Sequence, residues 1–424
     1  MTKLSQKLLG ATAFMALAAG TASAQGYYDQ DRSDSAPKPD VIDQVQLGDV
    51  WSDVNVHVPS AAGNIVTSSA AIGNTATAIV DRGAIDADID QVNRGDTFAD
   101  TNIWAGRIDG DVISSTSATG NAAYVGNWYG DSRANVNQTN TGTTTATSSV
   151  DVENVWAVST HATAVANASQ VETDFGDRAD TFVEQDSYGS VFAGSVATLG
   201  FVEGTAQNTA IAAGNSADSF YDRAGDVNDT VVQRTAEYTE VVSSAQTYVD
   251  DAENVITTSA AVGNQFNGAQ NYSDVNFGAN GSESFQGNGA NVIATADTNA
   301  DFFVGFSSTS ASGVGNSFAV SGLGGSTHSD VIQSNTGNVI SDVRVNTGDF
   351  SGGIGQVNAT SIGNSFSSVV QDGDQRASAI QTNFGNTIAS SSIRTGRAGD
   401  VIATSTAIGN AATVETRANN NGQR

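Results

Sequence analysis

Glutamine recurs at a nearly constant step along this chain, and this repetition constrains the fold more than any other feature. The spacings between successive members are 47, 47, 47, 48, 53, 47 and 48 residues, and the eight are Gln44, Gln91, Gln138, Gln185, Gln233, Gln286, Gln333 and Gln381. About thirty residues after each stands a second amide, usually preceded by glycine: Asn74, Asn121, Asn167, Asn215, Asn264, Asn316, Asn364 and Asn410. Because the two series recur at nearly the same interval over most of the chain, they indicate one unit repeated eight times, as in a solenoid, a propeller or an array.

The residues between the markers favour strands. No proline follows Pro59, and a residue without a backbone N–H would interrupt a β ladder. Val, Ile, Thr, Ser, Ala, Asn and Gly fill the repeats, a mixture that favours strands and turns over helices. We therefore predict an all-β fold, a β-solenoid similar to a parallel β-helix, with about eight repeats of about 47 residues.

Fixed spacing of amides has a physical reason in such a fold. In parallel rungs about 4.8 Å apart, identical amides stacked above one another hydrogen-bond along the stack. We therefore predict that the eight Gln and eight Asn residues form structural amide ladders. Each repeat holds either one large rung or two rungs of about 23 residues. The Gly-Asn and Gly-Asp corners favour two, which would give sixteen rungs and a rod of about 75 Å, or half that length with one rung per repeat.

The beginning of the chain predicts export. Lys3 and Lys7, the apolar segment 8–20 and the A-x-A sequence 22–24 indicate a signal peptide over residues 1–24. Residues 25–40 lack apolar periodicity and are expected to form a flexible leader, so the solenoid domain would cover residues 41–424.

The net charge and the amino-acid composition limit the kinds of partner and site that this chain can have. The formal net charge of −28 disfavours nucleic acid and anionic membranes, and the absence of cysteine removes thiol chemistry and Cys-based zinc sites. Asp86, Asp88 and Asp90 alternate along one predicted strand, so their carboxylates share a face, which is an arrangement that calcium uses. A solvated acidic face is the preferred interpretation, with calcium as the weaker alternative.

The sequence contains no recognisable catalytic constellation. His57, His161 and His328 occupy unrelated repeat positions, and no phosphate-binding, metalloprotease or nucleophile-elbow motif is present. We therefore assign no catalytic, cofactor-binding or metal-binding residue and predict that the protein is not an enzyme. Four tryptophans in the first half are expected to be buried in the core, although exposed ones would suit stacking on sugar rings: Trp51, Trp104, Trp128 and Trp156.

Two resemblances rest on these residues. The Gln-x-Asn-x-Gly-Asn runs at 333–338 and 381–386 resemble the curlin repeat of bacterial surface amyloids, although this repeat is about twice as long. The whole layout resembles the holdfast anchor protein D family of stalked alphaproteobacteria. That resemblance implies export through a curli-type outer-membrane pore and a location at the cell surface, associated with the outer membrane.

The resulting hypothesis is a structural surface protein that anchors an adhesive polysaccharide, the holdfast, to the cell envelope. Its expected partners are holdfast exopolysaccharide, other envelope anchor proteins and further copies of itself. The alternatives are a curlin-like fibre subunit and a polysaccharide-degrading β-helix enzyme, which would need paired carboxylates or a basic residue beside them.

Overall fold

The computed structural model describes residues 40–278, 283–349, 353–397 and 399–417. The predicted signal peptide and flexible leader lie outside the described residues, except for the backbone of Asp40. The described strands are β1 (Asp40–Gln46), β2 (Val50–Ala61), β3 (Ile65–Val80), β4 (Ile85–Asn93), β5 (Thr97–Ile108), β6 (Asp111–Trp128), β7 (Ser132–Asn140), β8 (Thr144–Val155), β9 (Ala157–Asp174), β10 (Arg178–Ser187), β11 (Val191–Asp222), β12 (Asp226–Thr235), β13 (Glu240–Asn271), β14 (Asp274–Phe277), β15 (Ser284–Asn288), β16 (Asn291–Phe303), β17 (Phe306–Leu323), β18 (Ser326–Asn335), β19 (Val339–Asp349), β20 (Ile354–Gln371), β21 (Asp374–Asn383), β22 (Thr387–Arg397) and β23 (Asp400–Arg417).

The strands form a solenoid of eight stacked rungs, which confirms the predicted all-β fold. In the first rung β1, β2 and β3 follow one another, and each pairs in parallel with its equivalent in the second rung, β4, β5 and β6. Gln44 pairs with Gln91, one full repeat later. One repeat therefore makes one rung, so the preference for two rungs of about 23 residues was wrong. Eight rungs at about 4.8 Å give a rod of about 38 Å.

Each rung is a flattened loop of two layers. β1 and β2 lie end to end in one layer, and β3 runs back along the other. The side-chain contacts show this reversed order, because Gln44 bonds the carbonyl of Thr75 while Ser52 meets Ser69. β3 bends at Gly73, which is left out of the paired register. The Gly-Asn dipeptide therefore marks a bend within one strand and not the end of a rung.

The space between the layers holds small apolar side chains arranged in columns. A central cluster is dominated by alanine, including Ala118, Ala162 and Ala210. The clusters on either side carry larger residues, with Phe266, Phe318 and Phe366 stacked through successive rungs in one of them. Small interior side chains let the layers approach closely, and the largest apolar side chains lie in the clusters on either side of the alanine-rich centre.

Regularity changes in the middle of the rod. In the fourth and fifth rungs the second and third strands merge into β11 and β13, each of 32 residues. In the sixth rung the first strand is divided into β14 and β15. Across the described ranges, no helix is long and apolar enough to cross a membrane.

Candidate functional site

The eight glutamines lie in one column inside the solenoid. Each Nε2 after the first donates to Oε1 of the glutamine in the preceding rung, at 2.7–2.8 Å. The same nitrogen also donates across the core to the carbonyl of the residue that follows the marker asparagine, at 2.7–3.0 Å. The six inner glutamines are at most 1% exposed. Each one thus joins two rungs and the two layers.

The eight marker asparagines form a second column of the opposite polarity. Each Nδ2 before the last donates at 2.8 Å to Oδ1 of the asparagine in the following rung. From Asn121 to Asn364, Nδ2 also bonds the carbonyl just after the glutamine of the next repeat. The glutamine column donates towards the N-terminal end and the asparagine column towards the C-terminal end. Their amide dipoles therefore oppose each other.

A third amide column was missed as a ladder at the sequence level. It contains the asparagine two residues after the glutamine, and the bonds run from Asn93 to Asn140 and from Asn288 through Asn335 to Asn383, at 2.6–2.8 Å. The recurring Gln-x-Asn spacing was the available signal. Ser187 and Thr235 interrupt this column in the fourth and fifth rungs.

Glycine before the marker asparagine is required by the backbone of the next rung and by this third column. A Cβ added at Gly120 would lie 2.5 Å from the Ala166 carbonyl oxygen and 2.6 Å from Oδ1 of Asn140. One at Gly315 would lie 2.5 Å from the next rung's carbonyl oxygen and 2.6 Å from Oδ1 of Asn335. The third rung has Ala166 in place of this glycine, and the next rung has Ser187 in place of the ladder asparagine. Serine lacks the amide oxygen that would meet the methyl group, so the two departures compensate each other in part.

Three of the four tryptophans lie on the outside, so their predicted burial in the core was wrong for these three. Trp51 is 70% exposed, Trp104 40% and Trp156 56%, whereas Trp128 is partly buried. Trp51 stacks on Phe98 with ring centroids 4.5 Å apart, and Trp104 stacks on His57 at 4.2 Å. The outer surface of the first rungs therefore carries aromatic rings among acidic and amide side chains.

The three alternating aspartates do share one face of β4, but neighbouring side chains engage two of them. Asp88 accepts a hydrogen bond from Asn135 at 2.8 Å, and Arg133 lies 3.9 Å from Asp86. Burial, together with Asp43 and Asp88, raises the pKa of the Asp90 carboxyl. Among the described residues, no group of three or more His, Asp or Glu side chains is placed to hold a metal ion.

The three histidines remain apart, as their repeat positions indicate. His57 stacks on Trp104, while His328 lies on β18 in the seventh rung. His161 lies on β9, where burial lowers its pKa and its Nε2 lies 2.7 Å from the Thr163 hydroxyl. The structure brings no two of them into one constellation.

One buried acid was not anticipated from the sequence. Asp229 is 0% exposed and occupies an inward column in which the earlier rungs have Ala134 and Thr181. The Tyr221 hydroxyl donates to its Oδ2 at 3.1 Å, while Oδ1 has no hydrogen-bond partner. Burial raises the pKa of Asp229 to about 7. The acid lies in the core beside Phe277 of the following rung.

The two end rungs expose their strand edges within the described part of the chain. The first-rung glutamine accepts from Gln91 and has no described rung before it, and Gln381 donates to Gln333 with no described rung after it. Residues 401–405 of β23 are exposed on both faces, whereas the inward members of the equivalent segment 355–359 in the seventh rung are buried. Such edges are able to pair with another chain.

Comparison with known families gives one match, which extends over nearly the whole chain. The sequence model of the family described as holdfast attachment protein D matches residues 10–179, 59–338 and 324–423. No curated protein and no solved structure matches.

Proposed function

The chain belongs to the holdfast attachment protein D family, and on that premise we propose that it is the structural anchor that ties the adhesive holdfast polysaccharide to the outer membrane. Membership implies a role in holdfast attachment, association with holdfast material and a place at the cell envelope. It also favours a structural protein over the polysaccharide-degrading alternative.

The observation that carries this proposal is the continuity of the glutamine column. Seven side-chain hydrogen bonds join all eight rungs, in addition to the parallel backbone ladders. Because the inner members are shielded from water, a pulled rung cannot replace these bonds with water until the layers separate. We propose that the glutamine and asparagine columns hold the register of the rod while it bears load.

The proposal includes the route to the surface. Residues 1–24 direct export, residues 25–40 form a leader, and residues 41–424 form the solenoid domain after passage through a curli-type pore. Other envelope anchor proteins hold it at the outer membrane.

A deletion strain complemented with variants tests the anchor role. The wild-type chain should restore retention of the holdfast on cells under flow, measured by lectin staining of cells and of the surface they leave. Gln185→Ala should restore surface display, measured by antibody on intact cells, but give lower retention at high shear. Cells that lack the protein and still keep their holdfast would refute the proposal.

A second property, self-association, is supported by the polarity of the end rungs. If the first rung of one copy stacks on the eighth rung of another, Nε2 of Gln44 meets Oε1 of Gln381, and Nδ2 of Asn410 meets Oδ1 of Asn74. Both directions match those inside the rod. Since the two contacting surfaces differ, this stacking does not close and produces linear multimers, the behaviour of the curlin-like alternative.

Ala403→Lys tests this stacking, because it places a charge on an inward position of the exposed last rung. Multimers of the purified chain, measured by analytical ultracentrifugation, should disappear while the far-UV circular dichroism spectrum stays unchanged. Multimers of unchanged size would exclude the end-to-end contact. An outward lysine on an inner rung, Ser308→Lys, is the matched control.

A further inference from the structure

A groove runs along the outer corner where the second strand of each rung turns into the third. It has a volume of about 470 Å³, and its walls include Arg107, Asn154, Phe201, Glu203 and Trp156. A second depression of about 430 Å³ adjoins it and shares Asn154 and Phe201. Together they cross the second to fifth rungs.

Trp156 is built into this corner with space around its indole. The backbone bonds from Trp156 N to the Gly110 carbonyl and from Gly204 N to the Trp156 carbonyl show that glycines hold the same corner in the adjacent rungs. A Cβ at Gly204 would lie 4.0 Å from the indole Nε1, so a side chain there would contact the ring. The indole is 56% exposed, and the glycine at position 204 leaves this side of it open.

Phe201 also lines the groove, in register with the polar side chains of the preceding rungs. Arg107, Asn154 and Phe201 occupy one outward column through three successive rungs. Phe201 is 44% exposed. Just after it, the register of β11 against β13 shifts between Val202 and Thr205. Bulges of this kind redirect side chains and are frequent beside binding sites.

The charge around the two depressions excludes one class of ligand. Their walls carry six carboxylates against the single Arg107, which is paired with Asp109 at 2.9 Å: Asp109, Asp151, Glu153, Glu203, Asp250 and Asp251. A polyanionic chain would be repelled here, whereas carboxylates and the Asn154 amide would bond the hydroxyl or amino groups of an uncharged or cationic one.

We propose that this groove binds a segment of polysaccharide that carries no negative charge, with one sugar ring stacked on Trp156 and a neighbouring ring against Phe201. The inference rests on the proposed anchor function and assigns the contact with the polysaccharide to one corner of the rod. Aromatic faces supply the stacking surface, and the carboxylates and Asn154 orient the hydroxyl groups.

Titration calorimetry of the purified full chain tests the groove with three probes of different charge: cellohexaose, a chitosan hexamer and hexagalacturonate. At least one of the first two should bind, and hexagalacturonate should not. Trp156→Ala and Phe201→Ala should each weaken binding at least about tenfold, while Trp156→Phe stays within about threefold of wild type.

Trp104→Ala is the matched control, since Trp104 is also exposed but lies outside the groove. The inference is overturned if neither uncharged nor cationic probe binds, if hexagalacturonate binds more tightly, or if Trp104→Ala weakens binding as much as Trp156→Ala. Unchanged circular dichroism spectra establish that the variants are folded.

Retention of the holdfast on cells separates this inference from the anchor function. If the deletion strain loses its holdfast and a surface-displayed Trp156→Ala chain restores full retention, the groove is not the polysaccharide-binding site, while the anchor role stands. If the deletion strain keeps its holdfast, the anchor role itself fails. Loss of retention with Trp156→Ala but not with Trp104→Ala supports both.

Discussion

Removal of one ladder side chain from the centre of the rod should weaken the whole stack. Gln185 is fully buried; it donates to Gln138 at 2.8 Å, to the carbonyl of Ser216 at 3.0 Å and to the Ser169 hydroxyl at 3.2 Å, and it accepts from Gln233 at 2.8 Å. Because two N–H groups serve three acceptors, these contacts count as about three hydrogen bonds at about 1 kcal/mol each. Together with the void left by the side chain, they predict that Gln185→Ala lowers the free energy of unfolding by about 3–5 kcal/mol.

Two further variants separate the contributions. Gln185→Leu keeps most of the side-chain volume and loses all of these hydrogen bonds, so it should still cost about 3 kcal/mol. Gln207→Ala removes an exposed glutamine from the outer face of β11 and should change stability by less than about 0.5 kcal/mol.

The assay is urea unfolding followed by far-UV circular dichroism, with amide hydrogen exchange to locate the opening. Because each rung contacts only its neighbours, the Gln185 variants should exchange fastest around the fourth rung. If Gln185→Leu were as stable as wild type, or Gln207→Ala as damaging as Gln185→Ala, the amide columns would not hold the stack.

The other predictions concern one buried charge and one packing contact. The pKa of the Asp229 carboxyl is about 7 in the folded protein and about 3.9 in the unfolded chain, so between these pH values only the folded state holds the proton. The contribution of Asp229 to the free energy of unfolding therefore falls by about 4 kcal/mol as pH rises from about 4 to 7. Asp229→Asn should raise the urea midpoint at pH 8 and leave it nearly unchanged at pH 4, with exposed Asp226→Asn as control; equal shifts at both pH values would contradict the burial argument. Gly120→Ala should cost about 1–3 kcal/mol because its Cβ would lie 2.5 Å from the Ala166 carbonyl oxygen and 2.6 Å from Oδ1 of Asn140. Combined with Asn140→Ser it should cost less than the sum of the single changes, and strict additivity in urea unfolding would argue against the compensation.

The repeat and its strand character were predictable because stacking imposes equal spacing on every column. Gln44, Gln91 and Gln138 occupy equivalent positions in successive rungs, so their step in sequence equals the length of a rung. The number of rungs per repeat was not predictable from the corners. The dipeptide Gly73-Asn74 bends β3 and does not end it, and the same residue types serve both purposes.

The alternation of residues along β2 and β5 indicates that Trp51 and Trp104 are exposed. Trp51 alternates in phase with Asp53 and Asn55, and Trp104 with Asp100, so both tryptophans share the solvent face of their strands. The general tendency of aromatic residues to be buried was given more weight than this local phase. The burial of Asp229 could not be predicted from the sequence alone, because it follows from the strand register that places Asp229 in the inward column of Ala134.

One full turn of chain per rung has a consequence for the order in which the molecule is assembled. Every ladder bond joins residues 46 to 53 positions apart, so a rung needs only the one before it as a template. A chain that emerges N-terminus first through a narrow opening can therefore fold turn by turn as it appears, without waiting for its C-terminus. Each completed turn is wider than the extended chain, so folding beyond such an opening would oppose backward movement and draw the remaining chain outwards.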